Sequence, residues 1–105
     1  DAAATVYTDP SILRYVNDLV EATRSDPRLR LGSSVRGGIA LVRAAKVWAA
    51  SSGRHYVLPD DVKALVRPVL AHRLVLDPDA ELTGANALAV VDDVLAATPP
   101  PATGQ

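Results

Sequence analysis

Gly32-Ser33-Ser34-Val35-Arg36-Gly37-Gly38 reads as the entrance to the longest helix of this chain, and the rest of the sequence is arranged around it. Ser34 is a good N-cap, because its hydroxyl can accept a bond from an unpaired N–H of the first turn. Arg36 then falls within that turn, where a cation opposes the helix dipole at a cost of ~0.3–1 kcal/mol. Gly37 and Gly38 follow inside the helix, each about 1 kcal/mol worse than alanine. Two readings of this run of unfavourable choices stand. In one, Arg36 is a solvated surface residue and the glycines permit close helix packing. In the other, an anion such as a phosphate uses the turn, meeting free N–H groups, a guanidinium fork and a bare backbone.

Working outward, the helical spacing predicts a helix from about Val35 to Ser51. Gly38, Leu41, Val42, Ala45, Trp48 and Ala49 fall on one broad apolar face, with Trp48 as a core anchor, while Arg36 and Arg43 share the opposite face. Gly53 stands in the usual position to stop this helix. Upstream, Asp9-Pro10 is a helix start, an N-cap acid followed by proline at the first helical position. Ile12, Val16, Leu19, Val20 and Thr23 continue it to about Arg24, and it ends before Pro27. Arg28-Leu29-Arg30-Leu31 is a linker into Gly32.

Downstream, Leu58-Pro59-Asp60-Asp61 opens a third helix with Val62, Leu65, Val66, Val69 and Leu70 as its buried stripe and Pro68 kinking or splitting it. Leu58 carries no hydroxyl, so that helix lacks a side-chain N-cap, and Leu58→Thr is expected to stabilise it by ~0.5–1 kcal/mol. His72 reads as a packed, hydrogen-bonded residue. Leu74-Val75-Leu76 is a candidate short strand, pairing near Tyr56-Val57. Asp77-Pro78 and Gly84 mark a loop, and a last helix covers about Ala85–Ala97 with Leu88, Val91, Val94 and Leu95 inward. The expected architecture is all-α in the main, a small bundle of about four helices with at most a minimal two-stranded β element. Residues 1–8 are read as extended or frayed, 9–97 as the helical domain and 98–105, with Pro99-Pro100-Pro101, as a disordered tail.

A chain of 105 residues that is 49% hydrophobic, without Phe, Met or Cys, supports one alanine- and leucine-rich core. No disulfide or thiolate metal site is available to it, and no apolar run approaches the ~20 residues of a membrane span. The Ala-rich start lacks the basic region of a signal peptide. These features suit the cytoplasm, and the missing initiator Met suits an excised fragment. The net charge is −1, unevenly placed: all eleven Lys and Arg lie at or before Arg73, and beyond it stand only Asp77, Asp79, Glu81, Asp92 and Asp93. Arg24, Arg28, Arg30, Arg36 and Arg43 form a basic patch too small for a duplex-binding surface. There is no phosphate-binding glycine loop with Lys-Ser/Thr, no metal-ligand spacing, and no nucleophile with a plausible base beside His55 or His72. The chain alone is not expected to be an enzyme.

Four stretches taken together, Ala22-Thr23-Arg24, Leu31 to Gly37, Ser52 to Val62, and Val69-Leu70-Ala71-His72-Arg73-Leu74, resemble in order and spacing the C-terminal lid of MoxR-type AAA+ ATPases. The resemblance covers about Asp9 to Leu95. It implies a small helical domain that follows an α/β nucleotide-binding domain absent from this chain. It implies ATP and Mg²⁺ bound by the full-length protein, none of it tightly by this part alone, and assembly with neighbouring subunits into a ring that remodels a client protein, with no nucleic-acid partner. The arginine of the family's Gly-x-Ser-Pro-Arg motif is the sensor-2 residue, which reaches the nucleotide's γ-phosphate; that role falls on Arg36, with Ser34 and Val35 beside it at the nucleotide. Val35 replaces the motif's proline and Leu58 the hydroxyl residue expected before Pro59. Three other readings remain: the lid of a magnesium-chelatase-type subunit, a nucleic-acid-binding module with Val35–Ser51 as recognition helix, and a plain protein-interaction bundle.

Overall fold

The computed structural model describes residues 6–31 and 35–101. It contains α1 (Pro10–Arg24), β1 (Leu29–Leu31), α2 (Val35–Ser51), α3 (Pro59–Leu70), β2 (Val75–Leu76), α4 (Pro78–Leu82) and α5 (Ala87–Ala97). The mainly helical class and the minimal two-stranded element are both as expected.

Local chemistry sets the helix ends. The Asp9 carboxylate accepts from the Ser11 N–H at 2.9 Å and the Ser11 hydroxyl at 2.6 Å, and these bonds hold its pKa below the ordinary aspartate value. Asn86 caps α5 by accepting from the Ala89 N–H at 2.8 Å. At the end of α2, Arg54 N–H donates to Ala49 C=O and Gly53 N–H to Ala50 C=O, each at 3.0 Å. This reciprocal pattern needs a left-handed residue, and Gly53 supplies it at φ 79°. The Ser34 cap lies outside the described residues.

The core is a single cluster. Ile12, Tyr15, Val16, Leu19 and Val20 of α1 meet Leu41, Ala45 and Ala49 of α2, Val62, Val66 and Leu70 of α3, and Val90, Val91 and Val94 of α5. Small residues on α2 let α3 come close along its length, which is the most extensive helix pairing in the fold.

Several expectations are corrected here. Trp48 is not a core anchor: it is 48% exposed. At 100° per residue it stands about 60° off the line through Leu41, Ala45 and Ala49, so its indole lies over the edge of the interface. Leu88 is likewise 46% exposed, about 100° from the centre of the buried face of α5. His72 is exposed within a 3-10 turn, Ala71–Arg73, that extends α3. Of the kink or split expected at Pro68, the split does not occur: α3 runs unbroken from Pro59 to Leu70. The segment read as a linker is β1, which pairs antiparallel with β2 (Leu29 opposite Leu76, Leu31 opposite Val75). Tyr56 instead forms a parallel bridge with Tyr7. The stretch read as a loop after Asp77 contains the one-turn α4.

Candidate functional site

The candidate site is the first turn of α2. Val35 is the first residue of the helix and Arg36 the second. Arg36 is exposed while Gly37 beside it is buried. The buried line of Leu41, Ala45 and Ala49 fixes the helix rotation. From the centre of that line, 100° steps put Arg36 about 180° away, so its guanidinium is free of the core. The next turn packs on α1: a Cβ at Gly38 would stand 3.4 Å from Val20 Cγ2 and 3.7 Å from Val16 Cγ1. The start of α2 is therefore held against the last turns of α1.

The five clustered arginines separate into two sets. Arg24 pairs with Glu21 at 3.1 Å. Arg28 pairs with both Asp26 and Asp93, each at 2.7 Å. Arg30, Arg36 and Arg43 are exposed and form no ion pair among the described residues. Arg43 does not stand free of structure: it borders a groove between α1 and α2 that Arg24 and Lys46 also line. Arg36 is not part of that groove. An uncommitted guanidinium in a helix's first turn, where the dipole also favours negative charge, is chemically suited to a phosphate group. Ser34 lies outside the described residues. Among those described, no group of three or more His, Cys, Asp or Glu could hold a metal ion, and no helix is long and apolar enough to cross a membrane.

Two ionic clusters were missed in the sequence. Asp61 is buried and accepts from the Leu58 N–H at 2.7 Å, and its other oxygen accepts from Arg54 Nη2. The spacing Leu58-x-x-Asp61 carries that signal, since an acid at the third helical position reaches back to the residue before the helix. The Arg28–Asp93 pair spans 65 positions and carries no local signal.

The short helical bundle with its two-strand clasp has known relatives. Residues 21–98 match the family model described as "AAA lid domain", and the chain belongs to that family. It is 41% identical over 96 residues to the uncharacterized protein YeaC of Bacillus subtilis, covering 91% of this chain and 30% of that protein. It is 38% identical over 110 residues to the protein MoxR of Paracoccus denitrificans, covering 91% of this chain and 32% of that protein. A putative ATPase from Cytophaga hutchinsonii superimposes with a TM-score of 0.89 at 28% identity, over 96% of this chain and 33% of that one. The lid is thus of the MoxR type. The chain spans about a third of the length of the relatives it matches.

Proposed function

We propose that this lid closes over ATP held by an α/β domain of the same protein, and that Arg36 is its sensor-2 residue. The observation that carries the proposal is an exposed guanidinium, uncommitted among the described residues, on the second residue of α2 and opposite its buried face. Val35, the first residue of α2, offers its first-turn N–H to the same phosphate, and Ser34, assigned beside it by the resemblance, lies outside the described residues. Bound ATP supplies the transferable phosphoryl group and its Mg²⁺ the charge that polarises it. Arg36 binds the terminal phosphate, stabilises the charge that develops on it, and couples nucleotide state to the position of the lid. The whole protein then works in the cytoplasm as a ring of such subunits that remodels a client protein. Similarity to proteins named MoxR, and to one named chaperone MoxR1 from Mycobacterium tuberculosis, supports this reading. The nucleic-acid alternative loses its ground, because Arg24 and Arg28 are occupied by carboxylates.

The test is Arg36→Ala. The lid's unfolding free energy should stay within ~0.5 kcal/mol of wild type, as for other surface truncations. ATP turnover by the full-length protein should fall by about tenfold or more, since arginines acting on a transferred phosphate reach ~10³-fold as principal fingers. Arg30→Ala is the control, an exposed arginine on β1 that forms no ion pair among the described residues. Equal losses in the two variants would assign the effect to general electrostatics, and unfolding of Arg36→Ala would make the residue structural; either result overturns the assignment.

A further inference from the structure

Two exposed features of this chain are complementary in shape and charge. The first is the groove between α1 and α2. Leu13 and Ile39 form its apolar lips at 47% and 48% exposure, and Gly38 keeps its floor open by having no side chain. Its rim is basic: Arg43 and Lys46 stand along α2, and the groove's lone acid, Glu21, is already bonded to Arg24.

The second feature is α4. None of its residues is buried, and Leu82 at its end is 86% exposed, the most exposed large apolar side chain among the described residues. Asp79 lies one turn before Leu82 on the same side of α4, and Glu81 precedes Leu82 by one residue, so the end of the helix joins an exposed leucine to two carboxylates. The helix is short but held at both ends. Asp77 caps its start by accepting from the Asp79 N–H at 3.1 Å. Gly84 at φ 100° closes its end, with Ala85 N–H donating to Ala80 C=O at 3.0 Å.

We propose that α4 of one copy docks in the α1–α2 groove of a second copy, Leu82 entering between Leu13 and Ile39 while Asp79 and Glu81 meet Arg43 and Lys46. The sequence's charge asymmetry favours another copy of this chain as the occupant, since its cations all precede residue 74 and only acids follow. The two surfaces differ, so the contact is heterologous: each copy keeps one free groove and one free leucine, and repetition yields a ring if the rotation closes. The contact is small, so a single one is weak and its specificity comes mainly from the charges. Arg36 takes no part, and the proposal stands or falls apart from the nucleotide reading.

The chain has no cysteine, which permits a direct test. Thr83→Cys and Asn17→Cys chains, which keep Leu82 and Ile39 and place the thiols beside them, are mixed at about 1 mM, where contacts of millimolar affinity are populated, and oxidised gently. The expected product is the Thr83→Cys/Asn17→Cys heterodimer, well above the share that random pairing gives relative to the two homodimers. Adding Arg43→Glu and Lys46→Glu to the Asn17→Cys chain should cut that yield severalfold. Adding Asp79→Lys and Glu81→Lys to the other chain should then restore it. Circular dichroism confirms that each variant is folded. A product distribution at the random ratio overturns the proposal, as expected if another protein or another domain fills the groove. A heterodimer indifferent to both reversals overturns it as well.

Discussion

Gly38 and Gly53 look alike in the sequence and do opposite things in the structure. Gly38 sits inside α2 with negative φ, and an added Cβ would meet Val20 Cγ2 at 3.4 Å and Val16 Cγ1 at 3.7 Å, at the edge of ordinary contact. Gly38→Ala should therefore raise stability by ~0.5–1 kcal/mol, the helix-propensity gain, with little steric cost. Gly53 has open space around it but stands at φ 79°. Gly53→Ala should lower stability by about 1 kcal/mol through backbone strain alone. Urea denaturation of the two variants checks both signs; a destabilised Gly38→Ala would mean that the α1–α2 contact is tighter than these distances indicate. The apparent extravagance of two glycines after Arg36 was thus legible as an oddity, but its meaning was not. Only the partner helix shows that Gly38 faces Val20, and that contact leaves room for a methyl group.

At the scale of the element, α3 begins without a hydroxyl cap and is nonetheless fastened. The Asp61 carboxylate takes the Leu58 N–H and the Arg54 guanidinium while itself 2% exposed. Asp61→Asn keeps an acceptor for the Leu58 N–H but leaves Arg54 without its charge partner. Breaking a fully buried pair costs ~3–5 kcal/mol; with the Arg54 side chain 26% exposed, about 2 kcal/mol is expected. The same geometry revises the expectation for Leu58→Thr. A hydroxyl adds about 1 kcal/mol of capping, but Leu58 is half-buried and its lost apolar area offsets a similar amount. The net change should lie within ~0.5 kcal/mol, readable as an almost unmoved thermal midpoint. Helix ends such as Asp9-Pro10 and Leu58-Pro59 were legible because capping is decided within four residues. The strand pairing was not. Both β1 and β2 alternate too briefly to signal a register, and their partnership joins segments more than forty positions apart. Trp48 and Leu88 failed for a related reason: periodicity ranks a face, but the breadth of that face is set by what packs on it.

Across the whole molecule, Arg28 connects the parts that local sequence does not. Its guanidinium bonds Asp26 in the turn after α1 and Asp93 on α5, and its carbonyl accepts from the Asp77 N–H at 2.8 Å, which anchors the entry to α4. The Asp26 side chain is only 11% exposed. Hydrogen bonds from the Arg28 side chain, more than burial opposes, hold its carboxyl below the ordinary aspartate range. Arg28→Ala removes those bonds and leaves the carboxylate shielded and unpaired, so its pKa should rise. With the Arg28 side chain 34% exposed and Asp93 largely in solvent, the expected cost near neutral pH is ~1–2 kcal/mol rather than the figure for a fully buried pair. The pH dependence follows from the direction of the Asp26 shift. A carboxyl whose folded pKa is depressed adds stability above its unfolded pKa of about 3.9, and that contribution disappears as pH falls through the lower folded value. Arg28 itself stays charged throughout. The stability gap between wild type and Arg28→Ala should be full at pH 6 to 7 and should narrow below about pH 4 as Asp26 protonates in both proteins. Urea midpoints at several pH values measure this directly. A gap that is constant down to pH 3 would mean that Arg28 acts by packing its aliphatic stem rather than through Asp26, and the ionic clasp would then not be what holds β1 and α5 together.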